Sequence, residues 1–405
     1  MNILVIAYNC SPSKGSECTV GWNWIYQYSI NAKKEDFIYA VIHRSYRDEV
    51  EKALEYYNLD NVILWAPEIP NWIEKSLKEM RLFSYDLWLK HAYDFVRKQG
   101  ISFDIIHHVS KTAMWFTGEF WKYNEAYTIF GPVGGGQEIP DSLREYQTNR
   151  VTEIVRTVVN RTRVLSPWYR RAIKAFDVVY AVNEETMGIL SGIAGKKVKI
   201  EMDMATPNPF LGLSIADEDK KDKTHRFLFS GEYHTPRKGV MFLLDCLEYL
   251  PDDFDYTIDF IGGKNDNILL ERIKELKLED RIKFHGKLPY EQLKDIYIQY
   301  DAFVFTSLRE TSGNVLAEAM ASGLPIVGFN TSINKVLKKN GCGIFIEVEN
   351  RSLEDIKRAF ASAMIDVFSD YKYYSGNAYR FANTLTWNEK YKRIMNDYMS
   401  ARAAT

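Results

Sequence analysis

The chain holds only four cysteines in 405 residues, Cys10, Cys18, Cys246 and Cys342. None belongs to a CxxC pair or a Cys/His cluster, so a zinc ribbon and a disulfide framework are both excluded as the organising principle. Isolated thiols of this kind fit a reducing compartment, and a cytoplasmic protein is expected. Long apolar runs are missing too: no segment approaches the roughly 18 residues that a membrane-spanning helix needs. The opening MNILVIAYN has no basic leader and no cleavage-like site, and it reads as a first β-strand rather than a signal peptide. Net charge is small, −2, so the whole molecule has no strong attraction to nucleic acid or to anionic membrane. The fingerprint GxGxxG is absent, which weighs against a dinucleotide-dependent oxidoreductase. No convincing DxD motif offers a metal site, and neither a metal nor a resident cofactor is expected.

What the sequence does contain is 46% hydrophobic and 26% charged residues, an ordinary globular balance. The length exceeds what one hydrophobic core organises, so two domains are expected. The first half reads as strands over 2–8, 37–43, 61–67, 103–109 and 176–183, and a further strand from Ala126 that runs into a glycine-rich loop ending at Gly136. An aromatic helix starts at Trp22, and the spacing of Leu82, Leu87, Leu89 and Phe95 predicts one helix over 72–97. The stretch 204–225 combines two prolines with a charged run and reads as a linker. Beyond it, the strands RFLFSG, TIDFIGG, RIKFHG, DAFVFTS and LPIVGFN alternate with helices at 238–250, 266–277, 289–299 and 314–322. Such alternation of apolar strands and helices implies parallel, doubly wound sheets. The predicted fold class is α/β, with two Rossmann-like domains whose parallel sheets face each other across a cleft. Domain one covers 1–205 and domain two 206–387, with the terminal helical stretch 388–400 packing back on domain one. Ligands of such sheets lie beyond the carboxyl ends of the strands.

The most informative stretch is RETSGNVLAEAMASGLPIV, residues 309–327, at a strand-to-helix junction. Thr311 and Ser312 are suited to cap the helix, and Gly313 lets backbone approach a ligand closely. The amides of Gly313, Asn314 and Val315 then point at one spot where the helix dipole favours an anion such as a diphosphate. Glu310 precedes the helix, and Glu318 leans back toward its start. Two carboxylates flanking an anion site suit hydroxyl-rich groups on either side of it, a sugar and a ribose. A second stretch, SGEYHTPRKG, follows the first strand of the second half; Lys238 offers a point charge and Arg237 a fork of donors to the same diphosphate.

In the first half, Gly15 sits in the loop after the first strand, where the lack of a side chain lets that loop approach a bound donor or acceptor or simply makes a flexible turn. His107 and His108 end another strand, where imidazole can donate to a sugar hydroxyl or a phosphate. The run GPVGGGQEIP, with Gly134, Gly135 and Gly136, calls for close backbone approach or unusual dihedrals and is expected to line the cleft. Residues 150–174 hold Arg150, Arg156, Arg161, Arg163, Arg170, Arg171 and Lys174 against Glu153, a local charge of +6 among apolar residues. That pattern suits either peripheral contact with an anionic membrane or a solvated basic face.

The stretch 309–327 resembles the E-x7-E motif of the family 4 retaining glycosyltransferases, which have the GT-B architecture, and the resemblance extends over nearly the whole chain. The glycine-rich loop is similar to one in a bacterial surface-polysaccharide branch. The resemblance implies transfer of a sugar from a nucleoside diphosphate sugar, UDP or GDP, to a saccharide or lipid-linked saccharide acceptor, with retention of configuration and no required metal. It implies that Glu318 binds the ribose, Glu310 lies by the donor sugar, Lys238 meets the diphosphate, and a histidine, His108 with His107 as the alternative, serves sugar or acceptor. One departure stands out: the family usually carries arginine where this sequence has Glu232, and Arg237 is the candidate substitute. Two other classes remain open, a catalytically silent nucleotide-sugar-binding subunit and a paired-carboxylate glycoside hydrolase.

Overall fold

The computed structural model describes residues 1–403 other than 16, 80–83, 110, 112, 148–149, 214–223, 265 and 312, and leaves the side chains of 150–154 undescribed. The chain forms two compact units. The first comprises Met1–Gly136, Arg156–Asp203 and Trp387–Thr405; the second comprises Gln137–Val155 and Met204–Thr386. The expected boundary at 205 lies next to the exchange at Asp203. Residues 137–155, expected in domain one, belong to the second unit, where Ile139 and Leu143 are buried in its core.

Among the described residues, seven strands form the first sheet: β1 (Asn2–Ile6), β2 (Phe37–Val41), β3 (Val62–Trp65), β4 (Ile105–His108), β5 (Tyr127–Val133), β6 (Val178–Ala181) and β7 (Val198–Ile200). Their order is β3-β2-β1-β4-β5-β6-β7, with parallel pairing throughout. The second sheet has six: β8 (His225–Ser230), β9 (Tyr256–Ile261), β10 (Ile282–Gly286), β11 (Ala302–Phe305), β12 (Ile326–Phe329) and β13 (Gly343–Ile346). Their order is β10-β9-β8-β11-β12-β13, again parallel. Parallel strands covered on both faces are apolar along their whole length. Hence Ala302, Phe303, Val304 and Phe305 are all buried, as are Leu4, Val5 and Ile6. In both sheets the strand order reverses after the first strand, between β1 and β4 and between β8 and β11. Those reversals are where open α/β sheets leave a crevice for ligand.

Several expected elements differ in extent. The first helix begins at Glu17 rather than Trp22 and runs to Ile30. The single helix over 72–97 is two, Asn71–Lys78 and Ser84–Lys98, and Leu82 lies outside the described residues. The helix expected from Lys238 begins at Val240, after a 3-10 turn over Pro236–Lys238. Strands β7 and β13 are additional to the strands expected from the sequence.

The terminal helix Trp387–Ala403 belongs to the first unit and is tied there by charge. The Lys390 ammonium, 0% exposed, lies 2.8 Å from Glu201, and Arg393 grips the same carboxylate at 2.7 and 2.8 Å. Burial alone would raise the Glu201 carboxyl, but the two cations outweigh it and hold it below the usual range. A depressed carboxyl contributes stability above its unfolded value and loses it as pH falls through the lower folded one. Glu201→Ala strands a buried ammonium and should cost about 3–5 kcal/mol, read as a lower urea midpoint at pH 7. Lys390→Met, which leaves Glu201 paired to Arg393, should cost less.

Candidate functional site

The loops after β8 and β11 meet at the reversal of the second sheet. Gly239 makes that meeting possible. It adopts φ +68°, and a Cβ there would stand 2.0 Å from the Thr306 carbonyl oxygen. The two loops are stitched by the Leu308 amide donating to Arg237 O (2.9 Å) and the Thr306 hydroxyl donating to Lys238 O (3.0 Å). This backbone contact aims the Lys238 and Arg237 side chains at Glu310. Lys238 Nζ lies 2.5 Å and Arg237 Nη1 3.4 Å from Glu310 Oε2. The Ser307 hydroxyl donates to the same oxygen at 3.2 Å. Burial pushes the Glu310 carboxyl up, yet Lys238 and Arg237 together bring it below its ordinary value. Glu310 is thus an ionised carboxylate under two cations. Glu232 is exposed, and Arg237 is the arginine that joins Lys238.

The helix Asn314–Ala321 follows. Its cap is Gly313, in the left-handed region at φ +71°, and no side chain caps it. The expected Thr311 cap is corrected, because the Thr311 hydroxyl instead accepts from Gln137 at 2.6 Å; Ser312, the other expected cap, lies outside the described residues. The physical reason is that a left-handed residue turns the chain into the helix without needing a side-chain acceptor. The amides of Gly313, Asn314 and Val315 open the helix, where the first turn leaves N–H groups without intrahelical partners. Glu318, one turn on, is 6% exposed. Tyr297 donates to its Oε2 at 3.0 Å and Tyr290 bonds it as well. Burial raises its carboxyl to about 7, against the pull of both hydroxyls in the opposite direction. Both tyrosines come from the helix Tyr290–Tyr297, and neither was singled out in the sequence. Their seven-residue spacing, two turns of one helix face, was the signal that could have found them.

The first-unit candidates divide differently. Gly15 has open space where a Cβ would go, whereas at Gly21 a Cβ would stand 2.1 Å from the Asn9 carbonyl oxygen. In that segment the glycine that packing demands is Gly21. His107 is buried with both nitrogens engaged: Nε2 lies 2.7 Å from Gly131 O and Nδ1 3.0 Å from the Tyr28 hydroxyl. The carbonyl can only accept, so Nε2 carries the proton and Nδ1 accepts from Tyr28. Burial lowers its value to about 3, so it is neutral and structural. His108 is 1% exposed, with Nε2 3.1 Å from the Tyr85 hydroxyl. Neither imidazole lies at the surface. The glycine run is required by packing: Gly135 sits at φ +121° against the Trp115 indole, and a Cβ on Gly136 would stand 2.7 Å from Thr186 Cα. Gly134 receives the Met114 amide at 2.8 Å. In the basic segment, Arg163 is committed to Asp86 (2.9 Å) and to the Trp115 carbonyl (3.1 Å), so it is not part of a solvated face. Among the described residues no group of three His, Cys, Asp or Glu side chains could hold a metal ion, and no helix is long and apolar enough to cross a membrane.

Residues 224–370, which carry Lys238, Glu310 and Glu318, match the family model described as glycosyl transferases group 1. The GtfA subunit of the UDP-N-acetylglucosamine–peptide N-acetylglucosaminyltransferase of Streptococcus pneumoniae is 31% identical over 146 residues, 35% of this chain and 28% of the relative. The chain thus spans less than a third of that curated relative's length. Among solved structures, sucrose-phosphate synthase from Thermosynechococcus elongatus superimposes with a TM-score of 0.67 at 15% identity, covering 100% of both chains. The Anabaena protein HepE in complex with UDP gives a TM-score of 0.64 at 15% identity, covering 98% of this chain and 100% of that one. These likenesses show the fold, which is the GT-B fold of two parallel-sheet units, with a group 1 glycosyl transferase match on the second.

Proposed function

We propose that the protein is a glycosyltransferase that moves a sugar from a nucleoside diphosphate sugar to an acceptor hydroxyl, with retention, in the synthesis of cell-surface polysaccharide or glycolipid. One observation carries this reading: at the reversal of the second sheet, Lys238 and Arg237 converge on Glu310, in the loop that leads directly into the helix Asn314–Ala321. Cations and helix-terminal N–H groups together suit a diphosphate. In this reading Glu318 receives the ribose hydroxyls, held for them by Tyr290 and Tyr297, and the nucleoside is that of UDP or GDP. Glu310 orients Lys238 and Arg237 and meets the donor sugar. As the glycosidic bond breaks, the departing diphosphate gains charge, and Lys238, Arg237 and the amides of Gly313, Asn314 and Val315 stabilise it most at that moment. The first unit presents the acceptor, and His108 acts there through Tyr85 rather than on the sugar itself. A glycosidase would need one protonated and one free carboxyl beside the same bond. Glu310 and Glu318 differ in protonation in that sense, but Glu318 is buried against Tyr290 and Tyr297 and the helix opening at Gly313 lies between the two in the chain, which suits a diphosphate there better than one glycosidic bond shared by both.

A second reading concerns location. Val158, Leu165 and Trp168 are exposed, Leu165 to 72%, alongside Arg170, Arg171 and Lys174, which line an open groove with Leu165 and Pro167. Apolar side chains set among cations suit the surface of an anionic membrane from its cytoplasmic side.

UDP and GDP should each be titrated into the full chain by calorimetry, followed by turnover with UDP- and GDP-sugars. Glu318→Ala should weaken nucleotide binding at least tenfold, and Lys238→Met should lower kcat by about 10²–10³. Wild-type behaviour in both variants rules out this site. Nucleotide-sugar binding without any turnover would instead identify the silent subunit. Glu318 also predicts a pH effect on stability. Its carboxyl is raised from 4.5 to about 7 in the folded chain, so the folded state keeps that proton longer. The contribution is full below about pH 4.5 and is lost as pH rises through about 7. Glu318→Gln should therefore flatten the fall of Tm across that window and be more stable than wild type at pH 8. For the membrane reading, Leu165→Ser with Arg170→Ser and Arg171→Ser should abolish flotation with phosphatidylglycerol vesicles; undiminished flotation refutes it.

A further inference from the structure

The reversal of the first sheet, between β1 and β4, carries a second constellation that the donor chemistry does not use. Tyr8 lies just beyond β1, His43 just beyond β2, and Lys111 just beyond β4. The Tyr8 ring is partly exposed and fixed from behind. Its centroid is 5.0 Å from that of Tyr85 and 4.8 Å from that of Trp88, both edge-on, and 5.0 Å from the His43 ring. The Lys111 ammonium lies over two of these rings, 5.2 Å from the Tyr8 centroid and 4.9 Å from that of Tyr85. Its backbone is held as well: the Lys111 amide donates to the Tyr85 hydroxyl at 3.1 Å, and that hydroxyl bonds His108. Among the described residues no carboxylate forms an ion pair with Lys111. The two acids whose charge acts on the Tyr8 hydroxyl have partners of their own, Glu17 in Asn9 (2.9 Å) and Glu74 in Arg44 (2.9 Å) and Lys78 (3.8 Å). Burial lowers the Lys111 ammonium from its ordinary value, with Glu17 opposing.

His43 adds a second unmet donor. The ring is 8% exposed, and its Nδ1 accepts from the Ser45 amide at 3.3 Å, beside the Ser45 hydroxyl at 2.8 Å. Burial keeps the imidazole neutral, so the proton sits on Nε2. Nε2 is buried and has no hydrogen-bond partner among the described residues. A buried donor without an acceptor is costly. A cation without a counter-ion and a donor without an acceptor, both next to one aromatic ring, are complementary to an anion carried by a group that lies on that ring.

We propose that this site takes an anionic group, a carboxylate or a phosphate monoester, belonging to the acceptor, with Lys111 and His43 as its ligands and Tyr8 as the platform for the attached hydroxyl-bearing carbon skeleton. The identification of the ligand as acceptor rests on the glycosyltransferase reading; the anion site itself does not. The class of reaction that supplies the acceptor is then one that yields a hydroxy acid, a uronate or a sugar phosphate, and a neutral sugar is a poor substrate.

Inorganic phosphate and malonate serve as probes of the two chemistries. Each is titrated by calorimetry into the full chain saturated with UDP, at constant ionic strength. Wild type should bind one of them saturably, Lys111→Met should weaken that binding at least tenfold, and Lys111→Arg should restore most of it. His43→Phe should weaken it by a smaller factor. Preference for phosphate identifies a phosphate monoester acceptor, and preference for malonate identifies a carboxylate. If neither anion binds wild type, or if Lys111→Met binds like wild type, the proposal falls. If Lys111→Met does not fold, His43→Phe decides in its place. If UDP itself fails to bind, the donor reading is lost; the anion titration is then run on Lys238→Met, where it tests the first-unit site alone.

Discussion

Two loops can share a carbonyl only if one of them has no side chain to offer. At residue 239 the chain passes so near the end of β11 that a single methyl group would overlap the Thr306 oxygen. The left-handed turn there halts the preceding 3-10 turn with Lys238 as its last residue and restarts the chain as a helix at Val240. Both cations of the candidate donor site, and the carboxylate they share, are consequences of that contact. Replace the glycine and nothing aims Lys238 and Arg237 at Glu310. The hydrophobic core supports the contact from behind, because Val304, Phe229 and Leu308 are buried together beneath it.

The two carboxylates of the 309–327 stretch illustrate how burial assigns different chemistry to the same residue type. Glu310 has its desolvation outweighed by two cations and stays charged. Glu318 has only neutral hydroxyls, which do not offset its burial, and so it retains a proton near neutrality. Such a group costs the folded protein stability as pH rises and it must ionise where it is buried.

Much of this was legible in the sequence, for identifiable reasons. The strands of the second half were readable because parallel strands are apolar throughout, and the Glu310–Glu318 helix because a Ser-Gly-Asn junction follows one of them. Arg237 stood in the sequence as the substitute for the missing arginine at Glu232, and it reaches Glu310. Other features could not be read. The histidines at the end of β4 are indistinguishable in sequence from exposed ones, since their burial depends on Tyr28 and Tyr85 from distant helices. Gly15 and Gly21 look equivalent until the approach of the first helix to Asn9 separates them. Lys111 is not legible in the sequence, because what distinguishes it, two aromatic rings and no ion pair among the described residues, is assembled from positions 8, 85 and 111, far apart in the chain.

The return of the C-terminal helix to the first unit limits how this chain can be taken apart. The segments 1–136, 156–203 and 387–405 make one body, so no single cut in the gene yields either unit whole. A fragment ending near residue 204 would keep Glu201 but lose both of its cations, and one starting there would carry a charged helix with nothing to dock on. Anyone wishing to crystallise or swap one half alone would have to graft the tail back through an engineered connection.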